Sequence, residues 1–184
     1  MKLAYIDVET TGLSANKNFI HQLAMIIEID GEVVEELNLK VKPPTGAIIN
    51  KKALEIGGVT IDDLRQYPEY DEQYKVFVDT LGKHVDKYDK QDKYHFVAYN
   101  AHFDNSFVRA FMSACGDNYF GSWFRSNNID VMVVAGQTLK EERHLMKNFK
   151  LATVVEHLKI GVQGDVHDAL HDIRLTRELY KQVK

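Results

Sequence analysis

From Leu3 to Val8 the side chains are almost all apolar, and a Gly-containing turn closes the run, the pattern of a buried strand. Phe19 to Ile29 is a second such run, rich in Ile, Leu and Met, and it ends on Asp30-Gly31. Glu32 to Val41 then alternates, with Val33, Leu37, Leu39 and Val41 apolar. An Asp-Gly pair between two such runs predicts a tight hairpin. The first three runs therefore predict an antiparallel meander. Pro43-Pro44 ends it, because proline has no N–H to give a ladder.

Helical spacing follows. Asn50 to Ile56 predicts a short helix that Gly57-Gly58 stops, and Thr60 to Leu64 a further turn with Thr60 as cap and Asp63 at the capping-box position. Glu69 to Val85 places Tyr70, Tyr74, Phe77, Val78, Leu81 and Val85 on one helical face. Asp86 to Lys93 alternates Lys and Asp and reads as a solvated loop. Phe96 to Tyr99 predicts a fourth strand, Asn100 to Asn105 an exit from it, and Ser106 to Ala114 a helix. Ile129 to Val134 predicts a fifth short strand leading into a helix. Gly136 to Asn148 is polar and poorly patterned, a flexible or partly helical connection. Phe149 to Leu158 and Asp168 to Lys184 are the last two predicted helices. This order gives a mixed sheet flanked by helices, in one domain covering residues 1–184.

Composition narrows the function. At 184 residues the chain is long enough for one sizeable core, and 45% hydrophobic with 27% charged residues is a soluble, globular balance. No run approaches the roughly 18 apolar residues of a membrane span, and the start is too short and too acidic for a signal peptide. A cytoplasmic protein is expected. The single Cys115 excludes an internal disulfide framework and a cysteine-rich zinc site. A net charge of −4 argues against broad duplex binding driven by charge alone. Nucleic acid remains a candidate substrate, because an acidic site filled with divalent metal attracts phosphate.

Candidate chemistry begins at Asp7-Val8-Glu9. Side chains on a strand alternate, so Asp7 and Glu9 project together from one face at the strand's end, an arrangement that demands cations or protons. Asp104 stands where the fourth strand gives way to a helix, and on position alone it reads as a helix N-cap. Asp172 lies in the last helix between the apolar Leu170 and Ile173, near the packed face. His167 opens that helix and titrates near neutral pH. Alone, it reads as a surface histidine. Together, four carboxylates and one histidine have a joint explanation. Carboxylate oxygens suit Mg²⁺ or Mn²⁺, two such ions serve phosphodiester hydrolysis, and a histidine can take the proton of the attacking water.

Three motifs carry a family resemblance: Asp7-Val8-Glu9-Thr10-Thr11-Gly12, Asn100-Ala101-His102-Phe103-Asp104 and His167-Asp168-Ala169-Leu170-His171-Asp172. In order and spacing, from residue 3 to about 180, they resemble the DnaQ-like DEDDh exonucleases, a family that includes the epsilon subunit of DNA polymerase III and ribonuclease T. The resemblance implies a ribonuclease H-like α/β fold with a mixed five-stranded sheet, three antiparallel strands followed by parallel additions. It implies 3′–5′ release of nucleoside 5′-monophosphates from single-stranded ends, on DNA or, alternatively, on RNA. Asp7, Glu9, Asp104 and Asp172 become ligands of two divalent ions and His167 the general base, with Asp168 and His171 set aside. Thr10, Thr11 and Gly12 are expected to offer backbone N–H groups to the terminal nucleotide. Leu13, Leu54, Ile56, Asn100 and Phe103 are expected to contact it, although core packing explains Leu54, Ile56 and Phe103 equally well. The chain ends with its last helix, so the resemblance favours a freestanding nuclease over a polymerase-bound proofreader and leaves homodimerisation open. A catalytically silent binding module is the competing class.

Overall fold

The apolar runs pair as their alternation predicts. A computed structural model describes residues 1–161 and 168–184. Strands β1 (Lys2–Thr10), β2 (Ile20–Ile29) and β3 (Glu32–Lys40) form an antiparallel meander. Asp30 and Gly31 make the two-residue turn between β2 and β3 with φ of 51° and 95°, the paired positive values that a type I′ hairpin requires. Strands β4 (His95–Ala98) and β5 (Ile129–Asp130) add in parallel on the other side of β1, giving the order β3-β2-β1-β4-β5.

Helices cover both faces: α1 (Lys51–Ile56), α2 (Ile61–Gln66), α3 (Tyr70–Gly82), α4 (Ala101–Ala114), α5 (Val131–Thr138), α6 (Leu151–His157) and α7 (Ala169–Val183). The strand period of two sorts β1 between them. Ala4, Ile6 and Val8 pack with Phe77 and Leu81 of α3 and Phe107 and Phe111 of α4. Leu3 and Tyr5 point the other way, to Val131, Val154, Ile173 and Leu179 of α5, α6 and α7. Phe111 meets Phe19 and Tyr74 edge-on, and truncating so enclosed a ring to Ala costs about 3–5 kcal/mol. The capping box of α2 is formed, with Thr60 accepting from the Asp63 N–H and Asp63 from that of Thr60.

Two boundaries differ from the sequence reading. Helix α4 begins at Ala101 and not at Ser106, because Asn100 takes the left-handed conformation (φ 64°, ψ 52°) and the turn Tyr99–Asn100 alone joins β4 to the helix. Asp104 therefore sits inside the first turn, and the N-cap position belongs to Asn100. Strand β5 stops at Asp130, whose carboxylate accepts from the Met132 N–H at 3.0 Å and caps α5, so the helix already begins at Val131 inside the run 129–134. The polar stretch 136–148 holds the end of α5 and a short 3₁₀ turn over Arg143–Leu145.

Candidate active site

Strand β1 outruns its parallel neighbour. The β1–β4 ladder ends at Tyr5–Val97, while β1 continues to Thr10 with only β2 beside it. The Val8 N–H on the open side thus has no strand partner, and Asp104 supplies one: its Oδ1 accepts from Val8 N at 3.1 Å. Asp104 is 3% exposed. Asp7 and Glu9 occupy the β1 positions facing α7, where Asp172 lies in the first turn. One oxygen from each of Asp7, Glu9 and Asp172 lies within 4.8 Å of the others. Four of the five residues assigned to the chemistry thus converge at the carboxyl ends of the parallel strands, where open α/β sheets bind their ligands. His167 lies outside the described residues.

The charges at this end are one-sided. Burial drives the Asp7 carboxyl well above its usual range, and the negative charges of Asp104, Glu9, Asp172 and Asp168 push the same way. Burial and Asp172 raise Glu9 to about 7 against the opposing pull of Lys40. Burial also raises Asp104, opposed by the N–H groups it accepts from. Such a cluster holds protons unless multivalent cations replace them. A donor set made only of carboxylate oxygens fits a hard divalent ion.

Supporting residues fix the elements that carry these acids. Gln22 is 2% exposed on β2 and sits opposite Glu9 in the ladder. Its Nε2 donates to Asp168 Oδ1 and, at 2.9 Å, to Asn38 Oδ1, and its Oε1 accepts from Lys40 Nζ at 2.7 Å. The Asp168 carbonyl then accepts from the Asp172 N–H at 3.0 Å, which ties the start of α7 to the sheet. Asp130 holds the start of α4, accepting from the N–H groups of Asn100 (3.1 Å) and Ala101 (3.0 Å). The sequence reading missed Gln22 and Asp130 and set Asp168 aside. Gln22 had a visible signal, a polar residue inside the apolar run 19–29.

The turn after β1 is held by its own side chains. Thr11 N–H donates to the Phe19 carbonyl at 2.8 Å and so is not available to a ligand, contrary to expectation. Thr10 Oγ1 donates to the Gly12 carbonyl, and the Gly12 N–H has no partner among the described residues. A Cβ on Gly12 would lie 2.5 Å from the Asn18 side chain, which donates to the Ile48 carbonyl and accepts from Ser14 N–H, so only glycine fits. Leu13 and Ile56 are exposed, at 86% and 63%, whereas Leu54 is buried. Phe103 is half-buried with its ring centroid 4.9 Å from that of Phe107, and Asn100 is exposed.

A mixed sheet of this order with acids at the open end of its central strand has the ribonuclease H-like architecture. The chain belongs to the exonuclease family, whose match spans residues 5–180. It is 32% identical over 174 residues to the PolC-type DNA polymerase III of Bacillus cereus, covering 92% of this chain and 10% of that protein. It is 24% identical to the DNA polymerase III epsilon subunit of Aquifex aeolicus, covering 97% and 78%, and 34% identical over 112 residues to ribonuclease T of Photorhabdus laumondii, covering 57% and 51%. Its fold matches the crystal structure of E. coli exonuclease I in complex with a dT13 oligonucleotide with a TM-score of 0.79 at 22% identity, over 100% of this chain and 41% of that one. The chain thus spans a small part of the PolC-type relatives and under half of exonuclease I. Among the described residues no helix is long and apolar enough to cross a membrane.

Proposed function

We propose that the chain is a metal-dependent 3′–5′ exonuclease that hydrolyses the terminal phosphodiester of a single strand and releases nucleoside 5′-monophosphates. The observation that carries this reading is the convergence of Asp7, Glu9 and Asp172 within 4.8 Å, with buried Asp104 beside them. These four side chains would hold two divalent ions, Mg²⁺ or Mn²⁺. When bound, such ions neutralise phosphate charge and lower the pKa of a coordinated water. The protein's own part is placement. Asp104 is fixed by the Val8 N–H, and Asp172 by the Gln22–Asp168 link. Gly12 N–H is available to a phosphate or sugar oxygen, and the exposed Leu13 and Ile56 offer apolar surface to the terminal base. His167 is assigned the proton of the attacking water from its place in the third motif.

The polymerase relatives support DNA as the substrate, and the similarity to ribonuclease T supports trimming of RNA ends. Product analysis on matched 5′-labelled DNA and RNA oligonucleotides with Mn²⁺, for wild type, Asp7→Ala and His167→Ala, tests the reading. A descending single-nucleotide ladder that both substitutions abolish is expected, and the faster ladder identifies the sugar. Intact substrate with wild-type protein that still binds the strand would replace the reading with a silent binding module. A ladder that survives Asp7→Ala would misplace the site.

A further inference from the structure

Cations gather on the flank of the same helix that carries Asp104. Between α4 and the segment leading to β5 lies a cleft of about 470 Å³, lined by Lys90, Lys93, Arg109, Arg125 and the rings of Phe120 and Phe124, with no carboxylate in its wall. None of the four cleft cations has a carboxylate oxygen within 4.0 Å among the described residues. Lys93 is 8% exposed, and its ammonium is held by carbonyls alone, those of Ser122 (2.6 Å), Lys87 (2.9 Å) and Asp86 (3.4 Å). Asp92 answers part of this charge from beyond ion-pair distance.

Arg109 is held ready for an anion. Its guanidinium lies 3.8 Å over the Phe120 ring, and its Nε donates to Asn105 Oδ1 at 2.7 Å. Asn105 is itself anchored through Nδ2 to Asn128 Oδ1 at 3.1 Å. Stacking and one hydrogen bond fix the plane and leave both terminal nitrogens without a protein acceptor among the described residues. A planar fork in that state matches phosphate oxygens. Arg125 donates to the Gln91 carbonyl at 2.9 Å, and Lys90 is exposed.

We propose that this cleft binds backbone phosphates of a nucleic-acid strand at a point removed from the end being hydrolysed. The proposal rests on the nuclease reading and deepens it. Arg109 is five residues beyond Asp104, about 7.5 Å along the helix axis, so one rigid element carries both sites. Three exposed cations spread along a cleft, Lys90, Arg109 and Arg125, exceed what a single free phosphate needs, and a chain of net charge −4 gains from a local positive surface when it holds a polyanion.

The test measures fluorescence anisotropy of a labelled oligothymidylate in EDTA against NaCl concentration, for wild type and for Lys90→Gln/Arg109→Gln/Arg125→Gln. All three side chains lie at the surface, and an unchanged melting temperature verifies the fold. Should the triple variant not fold, Arg125→Gln alone is used. Each phosphate contact on a single strand contributes about 0.7 to the salt slope, so the triple variant flattens it by about 2 and the single one by about 0.7. With Mn²⁺, KM for a long strand rises while kcat and hydrolysis of a dinucleotide hold. An unchanged slope overturns the proposal. So does a variant that loses only inorganic phosphate binding, since that marks a free-anion site. Absence of hydrolysis in wild type with a flattened slope in the variant would sink the nuclease reading and leave the cleft assignment standing. Hydrolysis with an unchanged slope would do the reverse.

Discussion

Glu28 and Asp104 are equally buried, each 3% exposed, and both are held at the same sheet. Glu28 on β2 meets Arg177 of α7, with Nε to Oε2 at 2.8 Å, and its charge is answered within the protein. Among the described residues Asp104 receives a backbone N–H and no cation, and its neighbours are further acids. Burial alone therefore does not distinguish a structural carboxylate from a functional one. The distinguishing feature is that the described residues supply a counter-charge at one position and none at the other, where a cation from solution would complete the site.

The largest expected effect breaks this contrast at the unpaired acid. Asp104→Asn removes a charge and keeps an oxygen acceptor for Val8, so hydrolysis should fall by a factor on the order of 10³. The melting temperature in EDTA should rise, because repulsion has been relieved. A drop in melting temperature would mean that Asp104 is structural. The mirror-image change, Glu28→Gln, strips Arg177 of its main partner and should cost about 3 kcal/mol in urea unfolding. The kcat of the folded fraction should stay at wild type. Loss of activity at full stability would reverse the assignment of the two acids.

A buried base sharpens the comparison next. His21 is 1% exposed, neither ring nitrogen has a hydrogen-bond partner among the described residues, and burial with the nearby Lys40 lowers its pKa to about 4. A folded-state pKa below the unfolded value of about 6.5 adds stability above pH 6.5, which is lost as pH falls towards 4. The full effect is about 3 kcal/mol. Asp7 and Glu9, with raised values, act in the opposite sense and lose stability as pH rises. The difference between wild type and His21→Leu between pH 7 and 4 isolates the histidine, and parallel curves would show that it does not titrate there. The smallest effect belongs to Lys40, the cation that opposes the rise of Glu9. Lys40→Gln should move the acid limb of Mn²⁺-dependent hydrolysis to higher pH by less than about one unit. A shift to lower pH would contradict this electrostatic account.

What the sequence disclosed was local. The period of two put Asp7 and Glu9 on one face, and Asp30-Gly31 placed the hairpin, because both follow from neighbouring residues alone. Asp104 misled as an N-cap because the start of α4 depends on Asn100 adopting a left-handed conformation, which the sequence pattern did not signal. Its true partner, the Val8 N–H, is vacant only because the β1–β4 ladder stops at Tyr5–Val97, a property of two distant segments. Asp130 and the Lys40–Gln22–Asp168 chain are likewise products of pairing across the sheet. Thr11 was read as a donor to ligand, but its N–H already closes the turn on Phe19.

The bond from Val8 to Asp104 also makes a built-in probe. Most amides in a central strand exchange with solvent deuterium only when the strand itself opens. The Val8 amide is shielded by a carboxylate, so its exchange rate follows the ionic state of that carboxylate. Between neighbours guarded by the β1–β2 ladder, this single resonance reads the chemistry of the site while the others read the integrity of the sheet.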